Sequence, residues 1–368
     1  DGRLDDRAVL LQRLGDTELT LETPDSGLVM AAWHRWGKDC TRYLLGEFAL
    51  ALWEPQSQEL FCARDRMGGS GFTFFRGPDY FAFASVSLAL CRLPGVPAEP
   101  NPAYVACMLV PAFQNRGGRE TWLKSIEGLY PAETLTVNLQ GECRIRKYWR
   151  FEPEKQEKYG DYAESESHFK EVFAKALSDR MIDPGKVGML LSGGLDSAGV
   201  AAMASRLNGQ VSQSKIHAYS AVHDDPDGCI ESRSILSMVD SLNLEMHGLS
   251  VPSMQGMLQL EDLKSLAWGN AEPVANSILI PQLMCQAASQ NGHKLVLHGA
   301  CGDLAMNAPW YYPSSLLRAW NFPGAWRESR AASKNNYFLK GKNPTYIFGR
   351  SFAHAFLPRM TAWLRQIK

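Results

Sequence analysis

Two glycines and an aspartate, set between an apolar run and a series of small residues, could do phosphate chemistry: Met189-Leu190-Leu191-Ser192-Gly193-Gly194-Leu195-Asp196-Ser197-Ala198. Gly193 and Gly194 carry no Cβ, so the backbone can turn its N–H groups onto an anion that a larger side chain would obstruct. A helix beginning there adds the positive end of its dipole. Asp196 would repel a bare phosphate, so its place in the loop implies Mg²⁺ between carboxylate and phosphate oxygens. The spacing is not GxxxxGK[ST], which makes this a different phosphate loop. A Gly-Gly turn before a helix is also a common structural connection, and the turn alone leaves both readings open.

Such a loop needs a strand before it and a helix after it. Val187–Leu191 is short, apolar and bounded by turn residues, as a buried strand is, and Ala198–Arg206 is composed of helix formers. Around this pair the sequence predicts helix Ser165–Asp179, strand Ile216–Val222, helix Glu231–Leu242 and strand Lys294–His298. Strands alternating with helices imply a parallel sheet covered on both faces, with ligands bound beyond the carboxyl ends of the strands. Residues 1–150 have a different pattern. Glu47–Trp53 and Glu59–Asp65 predict a hairpin, Asp79–Ser85 a further strand, and Leu28–Trp36 a helix anchored to the sheet by Trp33 and Trp36. The polar stretch Glu152–Gly160 reads as a linker, so the expected domains are 1–150 and 151–368.

Composition limits the classes. The 368 residues suffice for two cores, and 45% hydrophobic with 21% charged content describes a globular protein. A net charge of −1 with scattered Lys and Arg argues against a nucleic-acid surface, and no apolar run is long enough for a membrane span. The start, Asp1–Arg7, does not resemble a signal peptide. Eight cysteines without a CxxC pair read as free thiols, so a cytoplasmic location is expected.

The string Ser192-Gly193-Gly194-Leu195-Asp196-Ser197 resembles the pyrophosphate loop of ATP-pyrophosphatase enzymes, most of all the asparagine synthetase family. Arg64-Asp65-Arg66-Met67-Gly68, Leu45–Ala49 and Lys147-Tyr148-Trp149 are similar to landmarks of that family's amino-terminal domain and occur in the same order. Leu297-His298-Gly299-Ala300-Cys301-Gly302-Asp303 resembles the turn that carries the family's second magnesium aspartate. The resemblance implies an α/β synthetase domain with a parallel sheet, preceded by an α+β N-terminal-nucleophile, glutaminase-like domain. It further implies ATP and Mg²⁺ as cofactors. Asp196 and Asp303 would share the metal, and Leu191, Ser192, Gly193, Gly194, Leu195, Ser197, Ala221, His298 and Gly299 would surround the nucleotide.

The chain also departs from that pattern. Glutaminases of this family use an N-terminal cysteine and an Asn-Gly-Glu turn whose carboxylate holds the ammonium group of glutamine. Here the sequence starts at Asp1, and the turn reads Asp1-Gly2-Arg3, which sets like charge against that ammonium. Asp25 matches another pocket residue but does not restore the site alone. The expectation is that glutamine is not hydrolysed and that the attacking amine belongs to the substrate. Two branches of the family work this way, β-lactam synthetases and lasso-peptide cyclases. The former place a tyrosine where this chain has Ala300, so the cyclase branch is the preferred expectation.

On that expectation an Asp or Glu side chain of a precursor peptide is adenylated and captured by the peptide's own α-amine, closing a macrolactam. The partners would be a precursor peptide and a leader peptidase with its leader-binding protein. Glu272 is the expected catalytic carboxylate beside Asp196 and Asp303, with Glu231 as a second candidate; either is equally a helix-start carboxylate. Lys340 and Lys342 could face polyphosphate or be exposed loop residues. The alternatives are a glutamine-dependent asparagine synthetase and a β-lactam-synthetase-like small-molecule cyclase.

Overall fold

The computed structural model describes residues 2–109, 119–152, 160–181, 187–211, 215–250, 279–300, 302, 312–335 and 341–356. The chain packs as two compact units, Asp1–His298 and Gly299–Lys368. The predicted linker lies almost wholly outside the described residues.

The first unit begins with two antiparallel sheets. One has strands β1 (Gly2–Leu4), β2 (Gly46–Glu54), β3 (Glu59–Arg64), β7 (Glu133–Asn138) and β8 (Cys143–Lys147) in the order β1-β2-β3-β7-β8. The other is β5-β4-β6, from β4 (Thr73–Arg76), β5 (Phe81–Ala84) and β6 (Ile126–Gly128). Alternation along β3 shows why the run Leu60-Phe61-Cys62-Ala63 is apolar throughout. Phe61 and Ala63 pack with Leu10, Leu28 and Trp33 of helices α1 (Arg7–Leu14) and α2 (Asp25–Trp36). Leu60 and Cys62 face Phe72, Phe74 and Leu129 of the second sheet's layer. Phe75, Leu90 and Ile126 form a further core on that sheet's outer face, beside helix α3 (Ser87–Leu90). The layers therefore run helix, sheet, sheet, helix. The predicted hairpin is β2–β3, with Ala49 opposite Arg64 and Glu54 opposite Glu59. Trp33 packs on Phe61 at 5.0 Å between ring centroids, while Trp36 stacks at 4.1 Å on Tyr43.

The Arg64–Gly68 landmark is a closed structural turn. The Asp65 carboxylate, fully buried, accepts the N–H groups of Met67 (2.9 Å), Gly68 (2.6 Å), Gly69 (3.1 Å) and Ser70 (3.0 Å). Arg64 donates to the carbonyls of Gly68, Ser70 and Leu129, and the Tyr148 hydroxyl donates to the Arg64 carbonyl at 2.9 Å. Two sequence landmarks are thus one hydrogen-bonded object.

Helix α5 (Tyr162–Ser178), capped by the Asp161 side chain, leads into the third sheet. Here β11 (Glu245–Ser250), β10 (His217–Val222), β9 (Val187–Leu190) and β12 (Leu295–Leu297) lie parallel in that order. One face, through Val187, Met189, Leu191 and Ala218, packs on Leu177 of α5, Ala201 and Ala204 of α6 (Leu195–Val211) and Ile235 of α7 (Ile230–Ser241). The other, through Leu190, Tyr219 and Leu249, packs on Leu283, Met284 and Ala288 of α8 (Leu279–Gln290). This is the α/β arrangement expected from the alternation, covered on both faces. Ion pairs tie α5 and the residues just after it to the segment between β1 and α1: Lys175 to Asp6 at 2.9 Å and Arg180 to Asp5 at 3.2 Å.

In the second unit, helices Tyr312–Arg318, Phe322–Asn335 and Pro344–Phe356 share a core of Leu317, Ala325 and Ala355.

Candidate functional site

Strand β9 ends at Leu190 and α6 begins at Leu195, so Leu191–Gly194 form the turn at the carboxyl edge of the parallel sheet. The turn is held from both ends. The Leu191 N–H donates to the Tyr219 carbonyl at 3.0 Å, and the Leu191 side chain is fully buried below it. Ser197, also buried, closes the loop. Its hydroxyl donates to the Gly194 carbonyl at 3.0 Å and accepts from the Ser192 N–H at 3.3 Å, with the Ser192 hydroxyl 3.2 Å away. The two serines of the motif are its latch.

The two glycines do different work. Gly193 has φ +78°, and a Cβ built on it would lie 2.8 Å from the backbone carbonyl oxygen of Glu231, in the first turn of α7. Its missing side chain makes room for protein. Gly194 is the other case: a Cβ there would meet only Ser192 Oγ, at 3.9 Å. The Gly194 carbonyl accepts the Ala198 N–H at 3.0 Å, which makes it the residue capping α6, and a glycine caps with no side chain. The first-turn N–H groups of Leu195, Asp196 and Ser197 therefore keep the unmet donor capacity of a helix start.

Asp196 stands in that turn, half-buried, and makes no hydrogen bond or ion pair among the described residues. The helix dipole favours a carboxylate at this end, and beside a bound phosphate its charge is tolerable when a cation lies between the two anions. The open N–H groups and the uncommitted carboxylate fit a magnesium-bound polyphosphate. Leu195 is 91% exposed, a large apolar side chain presented to whatever occupies the loop.

Ala221 is the fifth residue of β10, and His298 follows β12 directly, so both sit at the same carboxyl edge as the loop. Gly299 belongs to the second unit, where its carbonyl accepts the Gly302 N–H at 3.2 Å. Asp303, Glu272 and Lys340 lie outside the described residues, and Lys342 is exposed. Glu231 is brought to the loop by its backbone, against Gly193, with its side chain exposed. No sequence signal marks that contact, because α7 meets the loop only in the folded sheet. Cys229, at the cap of the same helix, is half-buried, and hydrogen bonding with Ser232 holds its thiol below the ordinary value.

In the amino-terminal layers Arg3 and Asp25 line a cavity of about 760 Å³ whose walls are otherwise mainly apolar, among them Val29, Met30, Phe48 and Phe72. Both ionic groups are engaged. Arg3 donates to Asp5 at 2.9 Å and lies 3.6 Å from Glu47, and Asp25 is paired with Arg7. Arg3 is thus neutralised where the sequence suggested an uncompensated positive charge.

Comparison with known proteins follows the same two halves. Residues 168–364 match the asparagine synthase family and residues 9–149 the glutamine amidotransferase domain family. The chain is 27% identical over 205 residues to asparagine synthetase [glutamine-hydrolyzing] 3 of Bacillus subtilis, covering 56% of this chain and 33% of that protein. It is 26% identical over 290 residues to a putative asparagine synthetase [glutamine-hydrolyzing] of Mycobacterium bovis, covering 76% and 42%. It is 22% identical over 329 residues to the amidase chyE of Penicillium rubens, covering 82% and 46%. The chain thus spans between a third and a half of the length of these relatives. No helix among the described residues is long and apolar enough to cross a membrane.

Proposed function

Because the chain belongs to the asparagine synthase family, we propose that it forms amide bonds by adenylating a carboxylate with ATP at the Ser192–Ser197 loop and delivering the acyl group to an amine of the same substrate. The observation that carries this reading is the state of the loop: a helix start capped by a glycine with open space beside it, next to an Asp196 that has no partner among the described residues.

The chain's own residues set up the first step. The carboxylate attacks the α-phosphorus, and the departing pyrophosphate is received by the first-turn N–H groups of α6, donors already fixed in place. Mg²⁺, when bound, neutralises phosphate charge, and Asp196 with Asp303 would hold it. The latch of Ser197 on Ser192 and Gly194 keeps the donors from relaxing away.

For the second step the amine comes from the substrate. In the amino-terminal cavity both ionic groups are already paired, which leaves no unpaired carboxylate among its described lining residues to hold the ammonium group of glutamine. The product we propose is a macrolactam closed in a ribosomal precursor peptide between its α-amine and an internal Asp or Glu side chain. An amine held on the same molecule makes the capture effectively unimolecular, which is worth ~7–11 kcal/mol of barrier. A precursor peptide, a leader peptidase and its leader-binding protein are the partners this implies.

The test uses ATP, Mg²⁺ and a leaderless peptide with a free amino terminus and an internal Asp or Glu. AMP, pyrophosphate and a peptide lighter by one water are expected. An acetylated amino terminus should stop ring closure while leaving slow AMP formation. Unchanged peptide mass would remove the basis for a cyclase. A second reading, glutamine-dependent asparagine synthesis, is favoured by the names of the bacterial relatives, and asparagine formed from aspartate and glutamine would establish it.

A further inference from the structure

The opposite end of the parallel sheet carries a second cluster of chemistry-bearing side chains, unconnected with the nucleotide loop. His217 opens β10 and pairs in register with Glu245, which opens β11, and His247 follows two residues later. Residues i and i+2 of a strand share a face, and a register partner lies beside them, so the backbone sets all three on one side of the sheet. His217 is level with Gly188 on β9, four residues before Ser192, so the cluster sits about 13 Å along the strands from the loop at ~3.3 Å per residue.

The donor atoms are close. His217 Nδ1 is 2.9 Å from His247 Nε2 and 3.6 Å from Glu245 Oε1, and His247 Nε2 is 3.8 Å from the same oxygen. Three corners so spaced have a common point about 2 Å from each, the length of Zn–N and Zn–O bonds, ~2.0–2.2 Å. The surroundings fix the rings. Tyr219 stacks on His247 at 4.7 Å between centroids, and the His293 ring lies 4.5 Å from that of His217. A Cβ on Gly188 would come within 3.2 Å of the Tyr219 ring and 3.5 Å of His293, so the glycine makes room for this aromatic wall. The three donor side chains are 26%, 29% and 52% exposed, which leaves a path for an ion.

We propose that His217, His247 and Glu245 form a binding site for a divalent transition metal of the Zn²⁺ class, pinning β10 to the sheet's edge strand β11. Two imidazoles and one carboxylate suit zinc better than the hard, all-oxygen preference of Mg²⁺. Without metal the two rings share one proton across the 2.9 Å contact. On loading, the ring that holds that proton carries it on its other nitrogen instead, by exchange with solvent, so both rings stay neutral and both facing nitrogens turn toward the carboxylate, with water as the remaining ligand. The site is structural and takes no part in amide formation.

The experiment is equilibrium dialysis of the full chain against Zn²⁺, with the retained metal counted, and the same with Co²⁺ read by visible absorption. One tightly held Zn²⁺ per chain is expected, with a strong tetrahedral Co²⁺ d–d band and no near-ultraviolet thiolate charge-transfer band. His247→Gln and Glu245→Gln should each weaken binding by ~100-fold or more, since losing even an outer partner of a metal ligand costs ~10–100-fold. The Asp196→Asn protein should bind Zn²⁺ as the unaltered chain does, which separates this site from the nucleotide loop. No retained Zn²⁺, a thiolate band, or affinity unchanged in both glutamine variants would overturn the assignment.

Discussion

Two loops in this molecule carry an aspartate among glycines, and they have opposite characters. Asp65 is fully buried and accepts four backbone N–H groups, so its carboxylate is wholly committed to its own turn. Asp196 is half-buried and without a partner among the described residues, in a turn whose helix start keeps its donors open. A buried charge that is fully hydrogen-bonded holds a shape; one left uncommitted beside open donors awaits a ligand. Both stretches resembled family motifs in the sequence, and only their hydrogen-bond partners separate scaffold from site.

The largest expected effect breaks the first loop. Asp65→Ala should strand four backbone N–H groups of this turn and cost ~3 kcal/mol of stability, read as a lower urea midpoint. The comparison fails if that variant is as stable as the parent. Asp196→Asn is the counterpart: stability within ~0.5 kcal/mol of the parent, as for an uncommitted surface group. ATP–pyrophosphate exchange should nevertheless fall about 100-fold, since the variant removes a carboxylate that holds the metal. Asp303→Asn should lose exchange similarly. Near-parental exchange in either protein would remove that aspartate from the site.

The glycines sharpen the contrast within the second loop. Gly193→Val forces a branched side chain to a positive φ and against the Glu231 carbonyl, and should cost ~2–3 kcal/mol by thermal unfolding. Gly194→Val meets only Ser192 Oγ among the described residues, at an ordinary contact distance, and should leave the melting temperature nearly unchanged while lowering ATP affinity at least about tenfold. Were the two variants to exchange these phenotypes, the assignment of the glycines would be inverted. Ser197→Ala should be mildest, ~1 kcal/mol for lost latch bonds, seen as faster hydrogen exchange at the Ser192 and Ala198 amides.

What the sequence made legible follows burial. Runs such as Val187–Leu191 and Leu60–Ala63 are buried on both faces, so their apolarity alone marks them as strands. Strand β11, Glu245-Met246-His247-Gly248-Leu249-Ser250, was not legible: it is an edge strand with no β-branched or aromatic residue. The histidine and glutamate cluster was hidden with it, because His217 and His247 meet only through strand register. The phosphate loop was legible as composition, and the reason for Gly193 was not, since the carbonyl it makes room for lies 38 residues further along, in another helix. The charge at Arg3 was read correctly as a residue and wrongly as an environment, because Asp5 is buried beside it and Glu47 pairs from β2.

Adenylation is the central claim, and oxygen transfer tests it most directly. A peptide substrate whose reacting carboxylate carries ¹⁸O is turned over with ATP and Mg²⁺, and the nucleotide product is analysed by mass. Attack of the carboxylate on the α-phosphorus, followed by amine capture at the carbonyl, predicts AMP bearing one ¹⁸O. ADP with the label in inorganic phosphate, or AMP with no label, would contradict it.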